Sequence, residues 1–249
     1  MKMNKIFRRV HRWLGLLMAL QIIAWMASGL WFSIFPIEQI RGEHLTRPQE
    51  PLALSRMAAL TQPAAVQQAL DDHFGHPWEL SSVELIRLEG TVYWRVSGLH
   101  LEQPFNRLVQ SDSGQVLPML SAAEAESQAR ASLVTPMPPQ SVEWIETVEQ
   151  DSEIRGRDTP VWKVSFARPE SLNLYLDPWT GEILARRTDR WRIFDFFWML
   201  HIMDFDARED FNHPLLQISA ALGLVIALSG VGLWAMTSPI LRRRRRQAG

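Results

Sequence analysis

Cysteine is absent from the 249 residues, which excludes disulfides and thiolate metal sites and leaves any folded domain to be held together by its core alone. Catalytic signatures are missing as well. No Gly-rich phosphate loop follows a strand, and no Ser/His/Asp or HExxH pattern occurs. Two further absences decide the class. Both ends of the chain lack acidic residues, and two long runs lack charge of either sign.

The first uncharged run is Trp13 to Phe35, 23 positions, and the second is Leu215 to Met236, 22 positions. At the rise of an α-helix each is long enough to cross the roughly 30 Å hydrocarbon core of a bilayer. Two such runs read as membrane spans rather than as buried helices of a soluble protein. A cleaved leader is the rival reading of the first run, because basic residues precede it and Ala27-Ser28-Gly29 offers small residues. Its length favours an uncleaved anchor, with Trp13 and Trp31 suited to the two interfaces.

Charge placement then sets an orientation. Lys2, Lys5, Arg8, Arg9 and Arg12 precede the first span, and Arg242 to Arg246 follow the second. The segment between them holds the other 16 basic residues against all 27 acids, a net of −11. Basic residues flanking spans stay in the cytoplasm, so both ends are expected inside and the middle outside, in the periplasm of a Gram-negative-type inner membrane. The basic tail abuts a span and reads as an anchor on anionic lipid, not as a nucleic-acid site.

The middle segment contains a repeat. Val92-Tyr93-Trp94-Arg95-Val96-Ser97 matches Pro160-Val161-Trp162-Lys163-Val164-Ser165 at an offset of 68, each with the alternation of a half-buried strand. A second strand and a turn follow each copy: Arg107 to Leu117, with Asp112 and Gly114, and Leu174 to Leu184, with Asp177 and Gly181. An Asp opening a turn that closes on Gly suits such a reversal. Helices are expected over Pro63 to Phe74 and Ser121 to Leu133, the latter with a Ser121/Glu124 capping box. Strands at Ser82 to Leu88 and Val142 to Val148 complete two α+β modules.

These modules resemble PepSY domains, and the whole chain resembles the PepSY-associated transmembrane family. Tyr175, Asp177, Thr180, Gly181 and Ile183 resemble its turn signature, with one spacer fewer before the Asp. Val10-His11-Arg12-Trp13-Leu14-Gly15-Leu16 resembles the opening of its first span, Leu200-His201 the histidine before its last, and Ser229-Gly230-Val231-Gly232-Leu233-Trp234 its close. Larger members have four spans against two here, and the first module lacks the Thr of the turn. The expected architecture is a basic N-terminus at 1–12, a span at 13–36, modules at 37–118 and 119–190, an interfacial aromatic helix at 191–212, a second span at 213–237 and a basic tail at 238–249.

Histidines are the residues to weigh for chemistry. His73, His76 and His100 fall in the modules, and the first two, three apart, read as solvated residues before metal ligands. Relatives with four spans are linked to ferric-siderophore reduction through intramembrane haem, and this resemblance makes His201, His11, His44 and His213 candidate haem b ligands. His201 sits in the aromatic stretch Phe194 to Phe205 and His11 at the opposite face of the bilayer, so one haem would not bridge them. His201 would instead pair with His44, with His213 or with its copy in a second subunit. Ser219, Gly223, Ala227 and Gly230 form a small-residue stripe for association, or for packing against Gly15 and Ala19.

The leading expectation is a non-enzymatic, membrane-anchored binding or regulatory module that engages another envelope protein. The alternative is a haem-bearing electron-transfer subunit fed by a partner or the quinone pool, since no flavin or nicotinamide site is present. Inhibition of a peptidase is a third idea, drawn from what PepSY domains do in propeptides.

Overall fold

The structure is a computed structural model that describes residues 2–48, 63–75, 77–88, 90–149, 152–157, 159–168 and 170–237, with side chains described from Arg12 to Gly232 and at Trp234. The basic tail, His76 and the side chain of His11 lie outside the described residues. The chain forms two units: a central one, Ile37–Arg192, and one built from the segments before and after it.

The flanking unit contains α1 (Lys2–Ile34), most of α5 (Asp189–Ile202) and α6 (Pro214–Thr237). Arg12–Ile34 and Pro214–Gly232 have the length and apolarity of membrane spans, and their large apolar side chains, such as Leu20, Ile23, Leu224 and Leu228, are turned outward, as a lipid solvent requires. Pro36 follows the end of α1, where a residue without an N–H cannot continue the helix. Pro214 opens α6 at the position where proline's fixed φ helps. The two spans meet where Met18, fully covered, reaches the face of Gly223 beside the buried Ser219. Gly15 takes no part in this contact, and Gly230 faces open space. The upper end of the small-residue stripe therefore packs within the chain, with a methionine rather than a glycine as its counterpart.

In the central unit a short helix α2 (Ile37–Ile40) and a 3₁₀ turn lead to the first module, α3 (Pro63–Phe74), β1 (Trp78–Leu88), β2 (Thr91–His100) and β3 (Gln103–Gln110). The second is α4 (Ala122–Ser132), β4 (Ser141–Ile145), β5 (Val161–Phe166), β6 (Leu172–Leu176) and β7 (Ile183–Arg187). Both sheets are antiparallel with strands in chain order. β1 starts four residues earlier than its sequence pattern indicates, and β4 ends three residues short.

Each helix covers its own sheet. Val66 and Leu70 of α3 pack on Val96, Phe105 and Val109, while Ala129 of α4 and the adjoining Leu133 pack on Val164, Phe166, Leu172, Leu174 and Leu176. The Ser121 hydroxyl accepts from the Glu124 N–H, and the Glu124 carboxylate accepts from the Ser121 N–H, closing the expected capping box. The Ser121 hydroxyl, which also donates to the carboxylate, and next the Ser121 N–H hold the Glu124 carboxyl below its ordinary value. The second sheet is lined on its other face as well, by Ile154, Val161, Tyr175 and Ala185. Burial pushes the Tyr175 hydroxyl up to about 12.

The repeat holds at the level of pairing. Arg95 of β2 faces Glu84 of β1, and Lys163 of β5 faces Glu143 of β4, so each module carries one cross-strand ion pair at the same place. The turns correspond at an offset of 67, one residue tighter than the strands: Gly181 N–H donates to Asp177 and Gly114 N–H to Gln110, at 2.8 and 2.9 Å. Gln110, and not Asp112, therefore stands where the second copy has Asp177. The Thr missing from the first turn has a substitute, because Ser113 Oγ accepts from Gln115 N–H as Thr180 Oγ1 does from Glu182 N–H.

Candidate functional site

Two places concentrate unusual side chains, one in each unit. In the central unit, a groove of about 450 Å³ opens between α3 and β1, lined mostly by apolar side chains, among them Val66, Leu70, Leu80 and Val83, together with the polar Gln67 and Asp71. Leu80 and Val83 are three apart yet share this groove, because the register shifts between Leu80 and Ser82 and a bulge turns the second onto the face of the first. Gly98 lies across from the bulge, where a Cβ would come within 2.0 Å of the Glu79 carbonyl oxygen. Its bare backbone lets the two strands close.

β1 is the outer strand of its sheet. Its far edge presents N–H and C=O groups that no other strand among the described residues takes up, alongside Leu80 at 55% and Val83 at 37% exposure. An exposed strand edge beside an apolar groove is the arrangement that accepts an extended peptide: the backbone adds to the sheet and alternate side chains fill the groove. Trp78 closes one end, its indole N–H donating to Asp71 at 2.7 Å.

In the flanking unit, α5 packs on the last turns of α1 through aromatic rings. Phe32 touches Phe194, Trp198 and His201, and Trp31 touches Phe197. Polar contacts fix the register: Gln21 donates to the Leu200 carbonyl and Trp25 to the His201 carbonyl, at 3.3 and 2.9 Å. Ser28, fully buried, lies 2.8 Å from His201 Nδ1 and donates to the Trp25 carbonyl at 3.0 Å. A hydroxyl has one proton, and a carbonyl only accepts, so both contacts are met when Nδ1–H donates to Ser28 Oγ and Nε2 carries the lone pair.

The connector after α5 is ordered by its own charges. Met203, with φ of 57°, ends the helix. Arg208 pairs with the buried Asp195 and accepts the Trp198 indole N–H on its carbonyl. Burial pushes the Asp204 carboxyl up, but backbone donors from Asp210, Glu209 and Asp206 outweigh it and leave the group below its ordinary value.

The four candidate haem ligands lie on different elements of the two units. His201 is held among Ser28, Trp25 and Phe32, none of which ligates iron. His11 is seventeen residues before Ser28 on α1, about 25 Å along the helix axis. His44 lies exposed in the 3₁₀ turn of the central unit. His213, at the start of α6, has a buried Nδ1 with no hydrogen-bond partner among the described residues. One anchored imidazole with a free Nε2 suits one axial position. Among the described contacts of His201 there is no second histidine. Elsewhere burial, and next the neighbouring Arg107 and His100, pull His73 below its ordinary value, and no group of three or more His, Cys, Asp or Glu side chains gathers among the described residues.

The partners of His201 carried a weak sequence signal, a single hydroxyl at Ser28 inside an apolar run. The groove carried none, because the bulge that aligns Leu80 with Val83 breaks the alternation that would have marked them. A scan of protein families finds the PepSY-associated TM region over residues 8–249. No curated protein and no solved structure matches the chain.

Proposed function

The chain belongs to the PepSY-associated TM family, and on that premise we propose that it is an inner-membrane-anchored binding or regulatory protein, non-enzymatic, whose first module captures an extended segment of another envelope protein. The observation that carries this reading is the outer edge of β1 lying against the apolar groove. Backbone pairing supplies affinity without regard to sequence, and the groove selects apolar side chains at alternate positions. The net charge of −11 between the spans favours a neutral or basic segment as the captured strand.

The orientation follows from the basic flanks: both termini cytoplasmic, the central unit periplasmic. A haem-bearing electron-transfer role rests on family resemblance and has one anchored imidazole, His201, to draw on.

The absence of cysteine makes the test clean. A single cysteine in place of Glu79, on the exposed edge, is expected to cross-link an envelope protein in intact cells when treated with a membrane-impermeant reagent, and V83K added to it to abolish the adduct. A cysteine in place of Ser113, in the turn, is the control. Equal adducts from both positions, or an adduct indifferent to V83K, would refute edge capture.

A further inference from the structure

Arg107 of β3 is a half-buried cation whose donors are only partly used. Its Nη1 donates to the Asn106 carbonyl at 2.7 Å, the one side-chain hydrogen bond it makes among the described residues. Nε is buried and has no partner there. In a guanidinium, Nε–H and one N–H of Nη2 point the same way and form a fork that fits both oxygens of a planar carboxylate. That fork is the unused edge of Arg107.

Asp177, the acid whose charge Arg107 feels, does not fill it. Its Oδ1 accepts from the N–H groups of Trp179 and Thr180, both at 2.8 Å. Burial holds the guanidinium below its ordinary value, and Asp177 only opposes that shift. A buried N–H left unmet is costly, and a bound oxygen removes the cost.

The side chains round the fork supply planar surfaces and neutral donors. The Trp179 and Phe74 ring centroids lie 3.7 and 5.4 Å from Arg107 Cζ. His73 of α3 and His100 of β2 each lie against Phe74, with ring centroids 4.8 Å apart. His73 is exposed, so the cluster reaches solvent on that side. Burial, and next Arg107 and His100, hold His73 below its ordinary value, so at neutral pH it offers an N–H without a charge. One fixed cation among neutral donors matches a singly charged carboxylate better than a doubly charged phosphate. We propose that Arg107, His73 and His100, gathered round Phe74, form a binding site for a carboxylate, held on the Nε/Nη2 fork of Arg107. The site stands on other observations than the β1 edge and does not depend on edge capture.

A carboxylate on the fork favours protonation of the imidazoles beside it, so binding takes up a proton and tightens as the pH falls. Isothermal titration calorimetry of the full chain in detergent, with benzoate, its neutral analogue benzamide and inorganic phosphate as probes, tests this. Benzoate is expected to bind once per chain and about tenfold more tightly at pH 5.5 than at pH 7.5, with no heat from benzamide. R107K keeps the charge over Trp179 but lacks the fork, and is expected to weaken benzoate about tenfold. H73Q/H100Q is expected to retain binding at pH 7.5 and lose the gain at pH 5.5. No benzoate binding, equal binding of benzamide, an affinity indifferent to R107K or a gain that survives H73Q/H100Q would overturn the site. Phosphate binding more tightly than benzoate would overturn the assignment to a carboxylate.

Discussion

Trp94 and Trp162 occupy equivalent places in the repeat, but only one satisfies its indole. Trp162 donates to the Leu120 carbonyl at 2.9 Å, whereas Trp94 Nε1 is buried with no hydrogen-bond partner among the described residues. Replacing each with Phe removes similar volume, so the difference isolates the hydrogen bond. Trp162→Phe is expected to cost about 1 kcal/mol more than Trp94→Phe, read as the difference in thermal unfolding followed by circular dichroism. At this scale the sequence was legible where two copies use the same letter and misleading where they use different ones. Ser113 supplies the same acceptor as Thr180, so comparison by identity finds a residue missing where the hydrogen bond is present. Asp112 looked like the counterpart of Asp177 because both precede a Gly, but the turn is measured from Gly114 back to Gln110.

Helix α5 gathers the consequences of several residues. Thr188 starts it, accepting from the Trp191 N–H at 3.1 Å, Met203 stops it, and His201 fastens it to α1 through Ser28. His201→Ala removes that hydrogen bond and the ring contacts with Phe32 and Trp25, and is expected to destabilise the α1–α5 packing by about 1–3 kcal/mol, seen as faster proteolysis within the connector 203–213. Wild type and variant are expected to show the same visible absorption, without a haem band, when purified after expression with haem supplied. The existence of an aromatic helix was plain from Phe194 to Phe205, and the spans from their lack of charge. Which side chain received His201 was not, because a lone Ser in an apolar run has no period to reveal the face it occupies. The connector was legible only as polar sequence, since its order comes from Asp204 collecting three backbone donors.

Across the whole molecule, the modules of the central unit are joined by contacts between residues far apart in the chain. Arg95 pairs with Glu182 as well as Glu84, and Arg107 stacks over Trp179 at 3.7 Å. The turn of the second module is thereby seated on the sheet of the first, a pairing that no repeat or spacing announces. Trp179→Ala is expected to remove about 1 kcal/mol of cation–π attraction together with its packing, and to split the unfolding of the central unit into two calorimetric transitions. The outer edge of β1 has a different setting. Because α1 precedes the central unit and α6 follows it, the domain is tethered to the bilayer at both ends, and its encounters with other membrane-bound chains occur in a thin layer rather than in a volume. Tethering of this kind raises the effective concentration of a partner to about the millimolar range. A strand edge whose affinity would be too weak to hold a partner free in solution can then stay occupied, and still release it when that partner leaves the membrane.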